Sequence, residues 1–197
     1  SITNRSSGQT GIELAKALFA RGADVELWYG DSPTPVPDYL LALRFGSIRD
    51  VVALAAQNRE GTPGTYWDWV FVPAALADFV VDEPFEHKFD SSQPPPTIDT
   101  VTAPRLLEGL RPLAKQLVGF KLEVDVTPEE LVKRARRKLL PDGPCDYVAA
   151  NLAGEALGKT DSKLVLVGGS EGEVLAELSG PKRAVVHGLL ERVGGSI

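Results

Sequence analysis

Apolar positions along the chain change their period repeatedly, and each change marks an element. After a Ser/Gly opening, Ile12, Ala15 and Phe19 fall on one helical face with Leu14 and Leu18 beside it, and Gly22 stands where a C-cap belongs. Val25, Leu27 and Tyr29 then alternate with Asp24 and Glu26, the period of a strand. Pro33, Pro35 and Pro37 mark a loop, and Tyr39 to Phe45 reads as a second short strand. Ser47 and Asp50 form a start of capping-box type for a helix whose apolar side is Ile48, Val51, Val52 and Ala55. The run "WDWVFVPAALA", Trp67 to Ala77, predicts a strand buried on both faces.

The polar, Pro/Ser-rich segment Asp82 to Thr97 predicts a mobile loop. Downstream, the pattern predicts a helix over Arg105 to Leu113, a strand over Leu117 to Leu122, and a helix from the Thr127 cap and Pro128 to about Leu140. A buried strand "CDYVAAN" follows. Leu164–Val167 and Val174–Leu178 then form a hairpin around "GGSEGE", and a last helix runs from about Pro181 to Val193. Alternating strands and helices of this kind build a three-layer α/β, Rossmann-like sandwich with a mostly parallel central sheet, closed by the C-terminal hairpin. Ligands in such sheets bind beyond the carboxyl ends of the strands, which directs attention to Gly30–Pro37, Ala74–Lys88, Phe120–Glu123 and Asn151–Lys159.

Composition narrows the classes. With 197 residues the chain suffices for one domain, and a net charge of −6 disfavours nucleic-acid binding, which needs Lys and Arg against phosphates. Cys145 is the only cysteine, so no disulfide forms within the chain and no thiol metal cluster is possible. No apolar run nears the roughly 18 residues of a membrane helix, and no signal-peptide pattern is visible, so a cytoplasmic protein is expected. The sequence lacks methionine and opens on a loop-like segment. Native N-terminal sequence is therefore expected upstream of a single domain over residues 1–197.

Four segments carry candidate chemistry. "SSGQTG" before a helix suits a helix N-terminus that attracts an anion, or an ordinary capped turn; it is neither a P-loop nor a dinucleotide fingerprint. Asp78, after the apolar run and beside the small Ala74 and Ala75, either accepts hydrogen bonds from a ligand or caps the next turn. Lys88, in the predicted loop, is a lid cation for a phosphate or a solvated lysine. "KRARRKLL" places Arg134 and Lys138 four residues apart, either a small anion site or a basic last turn that complements the helix dipole. His87 and His187 lack partners at metal spacing, so no protein metal site is expected.

Taken in order, "ITNRSSGQTGIELAKALFARGADVELW", "AALAD", Lys88, "APRLL", "VGFKLE", "ARRKL" and "CDYVAAN" resemble phosphopantothenate–cysteine ligase, the ligase half of the coenzyme A biosynthesis bifunctional flavoprotein. The resemblance covers roughly Ile2 to Asn151, and "SGPKRAVV" is similar to the family's C-terminal end. It implies a usually dimeric enzyme that joins 4′-phosphopantothenate to cysteine. A nucleotide, CTP in preference to ATP here, activates the carboxylate as an acyl-nucleotide and releases pyrophosphate, with Mg²⁺ on the triphosphate. By resemblance, Asn4 contacts the acyl carbonyl, and Ser6, Ser7, Gly8 and Gly11 form its turn. Ala74, Ala75 and Asp78 hold nucleotide and intermediate, and Lys88 is the lid lysine. Pro104, Arg105, Leu106, Leu107 and Phe120 surround the base, and Lys138 faces the triphosphate.

This chain departs from the family pattern in four places, one of them the N-terminal strand and glycine/threonine phosphate loop that the resemblance implies ahead of the opening motif. Asp142 stands where a second family lysine is expected, within a lengthened "LLPDGP". The lysine cluster of the lid is thinned to Lys88, since Phe89 and Asp90 follow. The flavin-binding half is not represented, so FMN is not expected. These departures leave open a divergent nucleotide-binding module without ligase activity; an NAD-dependent dehydrogenase fits less well, because the glycine spacing is wrong.

Overall fold

The computed structural model describes residues 6–61, 67–75, 77–82, 97–152 and 161–194. Helix α1 (Gln9–Phe19) leads into β1 (Glu26–Tyr29) and β2 (Leu41–Arg44), which pair in parallel, and α2 (Ile48–Gly61) follows. β3 (Trp67–Val72) is succeeded by β4 (Phe79–Val81) and β5 (Thr100–Thr102), an antiparallel pair. Then come α3 (Leu106–Leu110) with a 3-10 turn, β6 (Ala114–Glu123), α4 (Pro128–Arg136), β7 (Tyr147–Leu152), β8 (Asp161–Gly168), β9 (Glu173–Pro181) and α5 (Lys182–Val193). Among the described residues no helix is long and apolar enough to cross a membrane.

The central five-stranded sheet has the order β3-β6-β7-β8-β9, with β3, β6 and β7 parallel and the β8–β9 hairpin added antiparallel, as the sequence pattern implies. The three layers follow from strand alternation. On β7, Val148 and Ala150 enter one core with α2, α3 and α4, represented by Val51, Leu106, Leu110, Leu131 and Ala135. Between them, Ala149 faces the other core with α1 and α5, represented by Leu14, Ala17, Val186, Leu189 and Leu190. Leu117, Leu166 and Leu190 are wholly inaccessible, and burying each contributes about 1.5–3 kcal/mol. The β1–β2 pair joins this body through an edge-on contact between Trp28 and Trp67, whose ring centroids are 5.5 Å apart.

Local chemistry explains the helix starts. Ser47 and Asp50 form the reciprocal box: the Ser47 N–H donates to Asp50 Oδ2 (2.8 Å) and the Asp50 N–H donates to Ser47 Oγ (3.2 Å). The Asp50 carboxyl is held below its ordinary value chiefly by the Gly46 N–H and then the Ser47 N–H. Thr127 Oγ1 accepts from the Glu130 N–H at 3.3 Å, and Pro128 occupies the first helical position.

Three expectations need correction. The strand predicted over Trp67 to Ala77 ends at Val72 and is mostly half-buried, because Pro73 has no N–H to continue the ladder and β3 is the edge of the five-stranded sheet. The helix predicted to reach Leu140 ends at Arg136, since the chain turns there so that Leu139 pairs with Cys145. The β4–β5 ribbon is not predicted at all. It brings together the two ends of the predicted loop, where the Asp82 N–H donates to the Asp99 carbonyl (3.1 Å).

Candidate active site at the carboxyl ends of the strands

The N-terminus of α1 lies at the carboxyl end of β3. A Cβ added to Gly11 would stand 3.4 Å from Pro73 Cγ, so the first turn of the helix rests on the residue that ends the strand. Exposed Ala74 and Ala75 follow directly. Gly8 adopts φ +68 at the helix N-cap, a left-handed conformation suited to glycine. Ahead of it, the Gly8 N–H donates to Ser6 Oγ (3.3 Å) and the Gln9 N–H to Ser7 Oγ (3.4 Å), both long bonds in an exposed turn. The first turn of α1 and Pro73, far apart in sequence, thus meet at one end of the sheet, with Ala74 and Ala75 next in the chain.

The remaining predicted residues divide. Asn4 and Lys88 lie outside the described residues. Asp78 is exposed, and its backbone carbonyl accepts from the Ala103 N–H (2.9 Å) at the mouth of the β4–β5 ribbon. Pro104 and Arg105 are exposed, with the Arg105 guanidinium on Glu108 at 2.9 Å. Leu106 is 4% exposed, and Leu107 packs partly against the same core. What Leu106 can offer a ligand is therefore its main chain. Phe120 is half-buried against the α1–α5 core, on the stretch of β6 that continues to Glu123.

Lys138 is not brought to this end. It lies beside Cys145, at the amino ends of the parallel strands, and its carbonyl accepts from the Cys145 N–H (2.9 Å). The Arg134–Lys138 anion site is also not formed. Arg134 is committed to Glu123 (2.7 Å) and Glu130 (3.1 Å), and these two carboxylates raise its pKa further. Lys121 joins the same group at 2.9 Å from Glu123. Burial alone would raise the Glu123 pKa, but Lys121 and Arg134 outweigh it and hold the carboxyl below its ordinary value.

Two features carry no local sequence signal. Arg111 donates to Asp146 and to the carbonyls of Pro144, Ala114 and Lys115. Asp146 Oδ2 also accepts from the Leu117 N–H at 2.7 Å. Pro144 and Asp146 lie 33 and 35 residues from Arg111, so no i, i+4 pattern announces them. Likewise, Ser32 and Thr34 reach back across the loop after β1 to the Ser7 carbonyl, at 2.6 and 2.7 Å.

A cleft of about 260 Å³ opens at the opposite, amino end, lined by residues including Leu139, Cys145, Asp146, Gly169 and Ser170. Its chemistry is muted. Burial, ahead of the opposing effect of Lys138, pushes the Cys145 thiol up to about 11, so it stays protonated, and the Asp146 carboxylate is engaged by Arg111 and Leu117. The carboxyl end, with its open turn and small residues, is the better candidate for chemistry.

Comparison with known proteins agrees in extent. The profile of the DNA/pantothenate metabolism flavoprotein C-terminal domain family matches residues 1–195. The coenzyme A biosynthesis bifunctional protein CoaBC of Thermococcus kodakarensis is 31% identical over 171 residues, covering 85% of this chain and 40% of that protein. The CoaBC of Methanocaldococcus jannaschii is 27% identical over 194 residues, covering 98% and 45%. The chain thus spans less than half the length of these curated relatives. Among solved structures, the DNA/pantothenate metabolism flavoprotein from Streptococcus pneumoniae has a TM-score of 0.77 at 20% identity, covering 100% of this chain and 92% of that one. A Cab2 mutant in complex with phosphopantothenate-cysteine has a TM-score of 0.69 at 18% identity, covering 98% and 79%.

Proposed function

The chain belongs to the DNA/pantothenate metabolism flavoprotein C-terminal domain family, and on that premise we propose that it is a phosphopantothenate–cysteine ligase of coenzyme A biosynthesis. The observation that supports this reading is the contact of Gly11, in the first turn of the helix that the Ser6–Gly8 turn opens, with Pro73 at the carboxyl end of β3, where a Rossmann-like sheet binds its ligands. The names of the CoaBC relatives and the Cab2 complex with phosphopantothenate-cysteine support the substrate class.

A carboxylate is a poor acyl donor, and transfer to a nucleotide gives it a leaving group. 4′-Phosphopantothenate attacks the α-phosphorus of CTP, or less effectively ATP, and pyrophosphate leaves. The cysteine amine then attacks the acyl carbon, forming the amide and expelling the nucleoside monophosphate. Asn4 donates to the acyl oxygen as charge develops there. The Ser6–Gly8 turn receives the substrate, Ala74 and Ala75 let it approach the backbone, and Asp78 accepts from substrate or nucleotide. Lys88 neutralises phosphate charge, and the main chain of Pro104–Leu107 with Phe120 borders the base. Mg²⁺ is proposed to be carried by the triphosphate itself. Magnesium would supply charge neutralisation there. Lys138 stands at the amino ends of the parallel strands of its own chain, so a role for it at the triphosphate requires a second copy in a homodimer. The setting proposed is the cytoplasm.

The test is turnover. Protein incubated with 4′-phosphopantothenate, cysteine, Mg²⁺ and CTP is expected to release pyrophosphate in step with product, faster than with ATP. No release with any nucleoside triphosphate overturns the reading. Asp142, exposed in the turn where a family lysine is expected, favours one alternative, a nucleotide-binding module without ligase activity. That alternative predicts a nucleotide-dependent thermal shift with no pyrophosphate.

A further inference from the structure

We propose that Ser32 and Thr34 are positioning residues for the substrate turn, acting through one peptide group. The inference rests on the ligase reading above. Both hydroxyls donate to the Ser7 carbonyl, Ser32 at 2.6 Å and Thr34 at 2.7 Å, so both lone pairs of that oxygen are taken. Ser32 Oγ in turn accepts from the Thr34 N–H at 3.2 Å, which ties the two donors into one unit. The peptide between Ser7 and Gly8 is planar and trans, so its C=O and N–H point in opposite directions. Holding the carbonyl toward the loop therefore holds the Gly8 N–H away from it, toward the open side of the turn where Ser6 Oγ lies at 3.3 Å. That bond is long, and a substrate oxygen can replace it.

The fit between loop and turn is close. A Cβ on Gly8 would fall 2.4 Å from Ser32 Oγ, so the serine lies directly against the glycine whose left-handed backbone shapes the turn. Ser32 and Thr34 sit in the proline-punctuated loop after β1, and the turn opens α1. The clamp thus couples two segments 25 residues apart without touching the substrate. Loss of these hydroxyls frees the peptide to rotate and scatters the direction of its N–H, weakening ground-state binding more than the chemical step.

The experiment compares the wild type with the double variant Ser32→Ala, Thr34→Val and with the conservative pair Ser32→Thr, Thr34→Ser. The KM for 4′-phosphopantothenate is expected to rise roughly tenfold in the first, with the KM for CTP and kcat within about twofold. The conservative pair is expected to restore it. An unchanged KM in the double variant, or an equal fall in kcat and in the use of both substrates, overturns the assignment. The second readout is independent of turnover: the Gly8 amide resonance, titrated with 4′-phosphopantothenate. It is expected to shift in the wild type and to lose that shift in the double variant. If the wild type makes no pyrophosphate, the ligase reading fails, and this titration decides the positioning role alone. A Gly8 shift that is absent in the wild type, or equal in both proteins, overturns it.

Discussion

The two ends of the central sheet are built differently. At the amino ends of β6 and β7, polar groups are closed on one another: Arg111 binds Asp146 and three carbonyls, Asp146 also takes the Leu117 N–H, and Cys145 is buried with its thiol protonated. At the carboxyl end, Ser6 and Ser7 are exposed, their bonds to the helix amides are long, and Ala74 and Ala75 leave the backbone open. Satisfied polar groups stabilise, whereas groups with spare capacity bind. The amino end thus helps to hold the molecule together, while the turn beside the carboxyl end of β3 is the part proposed to do its chemistry. Substitutions at one end should change stability, and substitutions at the other should change turnover.

The largest effect is expected from Gly143→Ala. Its Cβ would lie 2.3 Å from the Lys138 carbonyl carbon, a main-chain atom that cannot swing aside. The turn that joins α4 to β7 must shift, costing about 3 kcal/mol of unfolding free energy as measured by urea denaturation, while turnover per folded molecule stays close to wild type. Arg111→Ala comes next. It strips the donors from a mostly buried carboxylate and from three carbonyls, at a cost of about 2 kcal/mol. Arg111→Lys recovers little of this, because an ammonium lacks the guanidinium fork.

Gly8→Ala is the reverse case. The left-handed backbone and the clash with Ser32 cost about 1–2 kcal/mol locally, so the global melting temperature should move little while kcat/KM falls at least about tenfold. A large loss of stability with unimpaired turnover would erase the contrast between the ends. The smallest effect concerns Glu123. Its folded pKa lies below the ordinary 4.5, so its pairs with Lys121 and Arg134 contribute fully above that pH and are lost as pH falls through the folded value. The stability gap between wild type and Glu123→Gln should be under about 1 kcal/mol at pH 7, and it should close as denaturation is repeated at pH values progressively below 4.5.

Much of this architecture is legible in the residues because local physics repeats. The α1 face, the Ser47–Asp50 box and the Thr127–Pro128 start each rest on contacts within a few positions, and the β8–β9 hairpin on two apolar runs around one glycine-rich turn, so the pattern predicts them. The end of β3 is less legible: the apolar run continues past Val72, and only the missing N–H of Pro73 stops the ladder. The β4–β5 ribbon escapes because three residues at a time give no period to read. In the site, the ordered motifs identify the turn and the alanines. They do not reveal that Arg134 is taken by Glu123 and Glu130, that Lys138 lies at the far end, or that Ser32 and Thr34 hold Ser7. Those facts depend on which side chains the fold brings together from distant positions.

The most direct test of the division between the two ends is a crystal structure of the protein with 4′-phosphopantothenate. Density against Ser6, Ser7, Gly8 and Ala74 at the carboxyl end of β3 is the predicted result. Density in the cleft beside Cys145, Gly169 and Ser170, with the Ser6–Gly8 turn vacant, would contradict it.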